Sequence, residues 1–159
     1  MGESRALEPD EWEFWHSWMQ AQRLLVNELD RGLQQAHGIS KAEFSVLITL
    51  HRAPGNQMRV GELAESLGWD KSRVAHLLTR MEKRELLIRT EGASDGRRVG
   101  IGLTAEGLRV ARSAVVSHGE NIRRSFFDTL APEQAAAIQS WSRQTVGRFD
   151  AQDDDRGPA

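Results

Sequence analysis

Between Asp70 and Arg98 the chain sets out arginine, lysine, histidine and serine at spacings suited to hydrogen bonding with duplex DNA. Ser72, His76 and Arg80 recur every four residues, so on a helix they form one polar ridge, with Lys71 and Arg73 beside it. A ridge of this kind can offer donors to base edges and phosphates in a major groove. Further on, Gly92 and Gly96 mark a turn that carries Asp95, Arg97 and Arg98. Asp95 and Arg97 stand two residues apart, so the carboxylate can hold the Arg97 side chain in a fixed direction. Arg97 could then enter a narrow minor groove, where the negative potential is enhanced.

Alone, a basic helix face is usually no more than a solvated surface, and an exposed loop ion pair contributes little. The elements around these residues decide the matter. Leu63, Ala64 and Leu67 share one face of a short helix, and Val74, Leu77, Leu78 and Met81 share one face of the next. Gly68 lies between them, where a sharp turn needs a left-handed backbone. Asp70 is placed to cap the second helix. This is the layout of a helix-turn-helix with a basic second helix. Leu86, Leu87 and Ile88 then lead into the arginine-bearing turn. The return run Val99-Gly100-Ile101-Gly102-Leu103 alternates apolar residues with glycine, a period of two that predicts a strand.

Long helices flank this head. The first is predicted from Pro9 to about Ala36, with Trp12, Trp15, Met19, Val26, Leu29 and Leu33 on one stripe and Phe14, Trp18, Ala21 and Leu25 on another. A helix apolar over so much of its surface needs cover from more than one side, and in a domain this small a second subunit is the expected cover. Ser40 and Glu43 form a capping box for the next helix, with Phe44, Leu47 and Ile48 facing inward. Near the other end, Leu108, Ala111, Val115, Ile122 and Phe126 line a long helix from Thr104. Pro132 starts a last helix with Ala135, Ile138, Trp141, Thr145 and Phe149 on one face.

The runs VGELAESLGWDKSRVAHLLTRMEKRELL and SDGRRVGIGLTAEG resemble the MarR family of bacterial winged-helix regulators, and the resemblance covers nearly the whole chain. Its most specific parts are the basic helix, the Asp-x-Arg pair (Asp95, Arg97), and Leu-Thr-x-x-Gly (Leu103, Thr104, Gly107). The resemblance implies a mainly α fold with a small β-hairpin wing. It also implies a homodimer on a pseudo-palindromic operator, with recognition helices in major grooves and wings in minor grooves. On that basis Lys71, Ser72, Arg73, His76 and Arg80 are candidate recognition-helix contacts, and Asp95, Arg97 and Arg98 are candidate wing contacts. A further implication is a pocket between dimer helices and head for a small aromatic or anionic effector. Trp15, Met19, Phe44 and His51 are the candidates for its wall. The expected organisation is one chain over 1–159, with the winged helix-turn-helix at 40–103, dimerisation helices at 9–37 and 104–149, and a disordered tail at 150–159. Two departures stand out. Glu85 occupies a position where the family usually has glycine, and Ala131 precedes Pro132 where a Ser or Thr cap is more usual.

Charge and composition fit this reading. The whole chain has 21 Lys and Arg against 23 Asp and Glu, a net of −2. Asp70 to Arg98 holds eight basic residues against five acidic ones, a net of +3, so the remainder carries −5. Positive charge therefore gathers where phosphates would be met. The chain has no cysteine, which excludes thiol-based sensing and thiolate metal sites. The five histidines form no ligand spacing, so neither metal nor other cofactor is expected. No run suits a membrane span and no export signal opens the chain, so the cytoplasm is the expected compartment. There is no nucleophile motif, phosphate loop or metal cluster to suggest an enzyme. The alternatives are an activator or ligand-independent regulator of the same fold, or a winged helix that binds protein; Arg73, Arg80, Arg97 and Arg98 argue against the last.

Overall fold

A computed structural model describes residues 6–91 and 99–154. In chain order the elements are α1 (Pro9–His37), α2 (Lys41–Arg52), β1 (Gln57–Arg59), α3 (Val60–Leu67), α4 (Lys71–Lys83), β2 (Leu87–Glu91), β3 (Val99–Leu103), α5 (Ala105–Ser125) and α6 (Pro132–Asp154). The molecule is therefore mainly helical with one small sheet, as the sequence predicts. Two compact units divide it, one ending at Asn121 and the other beginning at Ile122.

The first unit is built around α2. Ser40 accepts a hydrogen bond from the Glu43 N–H through its hydroxyl and donates its own N–H to the Glu43 carboxylate, so the expected capping box is present. Val46, Leu47, Ile48 and Leu50 are buried behind it. They meet Leu63 and Ala64 of α3, and Val74, Leu77, Leu78 and Met81 of α4, in a single apolar cluster. Each fully buried aliphatic side chain contributes roughly 1.5–3 kcal/mol relative to exposure, so this cluster holds the head together. Gly68 ends α3 at φ 63°, and the amide of Trp69 donates to the Ala64 carbonyl at 3.0 Å, which closes the tight turn.

The sheet is antiparallel in the order β1-β3-β2. β2 and β3 are the predicted hairpin, pairing Leu87 with Leu103 and Arg89 with Ile101. β1 is an addition that pairs Gln57 with Gly102 and Met58 with Ile101. A three-residue Gln-Met-Arg strand is too short to show a period, and the Pro54–Asn56 turn before it reads as loop. Ile101 points into the core and is fully buried. On the opposite face, a side chain at position 100 would collide with Thr90, and one at 102 would press on Gln57.

The end of α4 explains both Glu85 and the Leu-Thr-x-x-Gly motif. Glu85 does take the left-handed conformation, at φ 58°. Its N–H donates to the Glu82 carbonyl and the Leu86 N–H donates to the Met81 carbonyl, the paired bonds of a Schellman motif. The Thr104 hydroxyl donates to the Glu85 carbonyl at 2.6 Å and accepts from the Gly107 N–H at 2.9 Å, so one side chain caps α5 and secures the turn. The Thr104 N–H donates to the Leu86 carbonyl. That carbonyl lies so close to α5 that any side chain at 107 would strike it.

Within the first unit, α5 turns Gly107, Val110, Ala111, Ala114 and Asn121 inward. This is a face of small residues, displaced from the apolar stripe that periodicity picks out. Leu108 is half-buried and Val115 remains exposed. Gly32 of α1 passes close to Asn121, whose amide donates to the Glu28 carbonyl at 3.4 Å. His37 and Ser117 are joined side chain to side chain at 2.6 Å. In the second unit, the Ala131 N–H donates to the Gln134 side chain, which supplies a bond at the start of α6 where no Ser or Thr is available. α6 continues through Asp154, past the start of the segment read as tail, and 155–159 lie outside the described residues.

Two substitutions test the α4–α5 joint. Glu85→Gly removes a Cβ from a left-handed position and should stabilise by about 1 kcal/mol, raising Tm by about 2–4 °C in a thermal melt. Gly107→Ala should destabilise by about 1–3 kcal/mol, because the backbone of Leu86 has to move. A melt in which both variants match the unsubstituted chain would discount the joint.

Candidate nucleic-acid interface

The candidate contacts on α4 stand together. Lys71, Ser72, Arg73, His76 and Arg80 are all exposed, on the side opposite the buried Val74, Leu77, Leu78 and Met81. Lys83 extends the same basic surface by one further turn; a reading of the ridge in steps of four misses it. Lys71, Arg73, Arg80 and Lys83 form no ion pair among the described residues. Asp95, Arg97 and Arg98 lie outside the described residues, so the wing's candidate contacts have no described geometry.

Two side chains have duties that sequence spacing does not reveal. Ser72 donates both its N–H, at 3.1 Å, and its hydroxyl, at 2.8 Å, to the Asp70 carboxylate. Asp70 therefore caps α4 as expected, and Ser72 offers DNA only the lone pairs of its oxygen. The bonds from Ser72, aided by the charge of Arg73, hold the Asp70 carboxyl below its ordinary range. Arg73 is held in turn: its guanidinium lies over the Trp69 ring, 4.4 Å from the centroid. The indole limits where that arginine can point.

Two other arginines of the basic head are paired with acids of the fold, though both side chains stay partly exposed. Arg89 on β2 pairs with Glu82 on α4, its Nε meeting both carboxylate oxygens at 3.1 and 3.2 Å. Arg84 reaches Glu43 of α2 at 2.7 Å. Both count toward the +3 of the segment, and neither is available at full strength to a phosphate.

A cavity of about 460 Å³ opens beside the start of α4, lined by Val26, Asn27 and Asp30 of α1, by Ser40, Lys41, Ala42 and Ser45 of the α2 start, and by Trp69 and Arg73. It shares no residue with the predicted effector wall. Of that wall, Trp15 and Met19 are about half exposed, at 48% and 45%. Phe44 packs on the core and against the His118 ring of α5, with centroids 4.7 Å apart. His51 has a buried Nδ1 with no hydrogen-bond partner among the described residues, as does His118. Burial, and to a smaller degree the charge of Lys41, pushes the His118 pKa down. Among the described residues there is no cluster of three or more His, Cys, Asp or Glu able to hold a metal, and no helix long and apolar enough to cross a membrane.

A helix-turn-helix with an exposed basic second helix, backed by a three-stranded sheet, defines the winged-helix class of DNA-binding transcriptional regulators. A family model described as MarR family matches residues 37–98. The transcriptional regulator HosA of Escherichia coli is 30% identical over 128 residues, spanning 80% of this chain and 92% of that protein. Two solved structures from Streptomyces coelicolor share the architecture. AbsC, a MarR family transcriptional regulator, is 30% identical with a TM-score of 0.79, covering 93% of this chain and 99% of its own. Sco3205, a MarR family transcriptional regulator solved in complex with DNA, is 32% identical with a TM-score of 0.79, covering 92% of this chain and 91% of its own. The chain belongs to the MarR family, whose members are DNA-binding regulators rather than enzymes.

Titration offers a check on two local assignments. A carboxyl held below its ordinary range stabilises the fold at higher pH, and that contribution is lost as pH falls through the carboxylate range. Asp70→Ala should lower the Tm at neutral pH, with the gap to the unsubstituted chain closing in acid. His118 is a base held neutral, so the unfolded chain takes up its proton first as pH drops below about 6.5, and stability falls there. His118→Gln should flatten the Tm-versus-pH curve between about pH 7 and pH 5; an unchanged slope would refute the burial argument.

Proposed function

We propose that this chain is a homodimeric, sequence-specific transcriptional repressor that reads a pseudo-palindromic operator through α4 and the wing. The observation that carries the reading is the exposed basic face of α4, capped by Asp70 and set opposite a fully buried apolar face. In this reading Lys71, Arg73, His76 and Arg80 meet base edges and phosphates in the major groove, with Ser72 as an acceptor, and Asp95, Arg97 and Arg98 serve the minor groove. Sco3205, the similar protein solved with DNA, supports the choice of partner.

The dimer is supported by what the chain leaves uncovered. On α1, Trp12, Phe14, Trp15, Met19, Leu24 and Val26 are exposed, and Leu33 is the helix's one buried residue among those described. On α6, Trp141, Val146 and Phe149 are exposed. A second copy covering these surfaces would set two reading helices about one turn of DNA apart, roughly 34–36 Å. A small aromatic or anionic effector that favours a different spacing would release the operator. The cavity bordered by Lys41, Trp69 and Arg73 is an alternative seat for such an effector, because an anion there would engage Arg73.

Selection of bound duplexes from a random library with the full chain should recover a two-fold-related pair of half-sites, and light scattering should give twice the chain mass. Arg97→Ala should weaken binding to the recovered duplex strongly at fixed salt and leave the dimer intact; unchanged affinity would remove the wing from the interface. For His76→Ala, an altered base preference at one position of each half-site is expected, and an unaltered preference would strike it from the readout set.

A further inference from the structure

By charge alone Arg84 belongs with the basic head, yet its side chain faces the other way. It sits at the C-terminal cap of α4 and reaches back to the joint between α1 and α2. One terminal nitrogen, Nη1, donates to the Glu43 carboxylate at 2.7 Å, and the other, Nη2, donates to the Gly38 carbonyl at 2.8 Å. Glu43 is a buried acid, its side chain only 9% exposed, and its second oxygen is taken by the Ser40 N–H. Ile39, between the two acceptors, is fully buried. The guanidinium, on a side chain that stays 42% exposed, therefore meets a two-point socket, with α1 ending on one side and α2 beginning on the other.

The leverage of that socket is considerable. α4 has 13 residues, about 20 Å of helix, and its candidate contacts begin at the end remote from Arg84. A tilt of about 3° at the C-terminal end would carry Lys71 and Arg73 by about 1 Å, beyond the roughly 0.5 Å within which a recognition geometry must be held. A planar two-pronged donor resists such a tilt better than an ammonium, which meets an acceptor as a point charge. We propose that Arg84 is a positioning residue for operator recognition: clamped to Glu43 and Gly38, it sets the angle of the reading helix on the α1–α2 joint without touching DNA. The proposal rests on α4 being the reading helix, and it makes the discrimination of that helix depend on a contact 41 residues away in sequence.

The test uses the full chain, the duplex recovered by selection, and a scrambled duplex of equal length. Arg84→Lys keeps the charge and the stem but loses the two-pronged contact. It should bind the selected duplex about tenfold more weakly, the scale of one lost charge-assisted bond, with affinity for the scrambled duplex and salt dependence unchanged. Arg84→Met should go further in the same direction; if it fails to fold, the lysine variant carries the test. If both duplexes weaken together and the salt slope for Arg84→Met falls by about one, Arg84 is a phosphate contact and the proposal is overturned. Amide exchange of the free protein provides a DNA-independent arm. Arg84→Lys should speed exchange at residues 38–43 and in the last turn of α4 together, and acceleration in only one of the two would overturn the clamp. A wild-type chain that prefers neither duplex sinks the DNA-reading proposal and this one with it. An unchanged preference in Arg84→Lys, beside a discriminating wild type, sinks this one alone.

Discussion

The head depends on how the chain leaves α4. Within four residues the backbone must stop a helix, reverse, and enter the first strand of the wing, and it does so through a left-handed glutamate. That conformation costs on the order of 1 kcal/mol outside glycine, and neighbouring bonds offset it. The turn's own amides bond back to Met81 and Glu82, the Thr104 hydroxyl takes the Glu85 carbonyl, and α5 approaches so closely that residue 107 must be glycine. Arg84 and Arg89, on either side, tie the same few residues to Glu43 and Glu82. α4, β2, α2 and α5 thus share one joint.

Much of this was open to inspection in the primary structure, and the parts that were not have identifiable causes. The two head helices could be read because Leu63, Ala64, Val74, Leu77, Leu78 and Met81 recur at helical steps and are buried accordingly. Ser40 with Glu43, and Asp70 before α4, were recognisable because caps depend on local geometry alone. β1 was not, since three residues carry no period. Of the inward face of α5 only Ala111 was, because Gly107, Ala114 and Asn121 make contact by being small or by hydrogen bonding, and a hydrophobic period is blind to both. Arg84 illustrates the same limit: nothing in the string EKREL says that its charge is spoken for by an acid 41 positions earlier.

Within the segment that spacing singles out, the charged side chains divide their labour. Four exposed cations on α4 carry the outward charge, two arginines of the same segment brace the frame, Asp70 caps the helix through Ser72, and Trp69 lies under Arg73. Formal charge over a segment overstates what can reach a phosphate, because internal ion pairs draw on the same arginines.

β3 bears on how such a reader can change over generations. Its two glycines leave no room for a side chain against Thr90 and little against Gln57, while Ile101 between them is locked in the core. Position 100 admits no side chain unless Thr90 moves, and position 102 admits one only if Gln57 gives way slightly. Substitution is thereby channelled to the solvent side of α4, whose exposed residues lie away from the core. A scaffold so constrained at its base leaves the outward face of α4 as the surface that can vary while the core is kept.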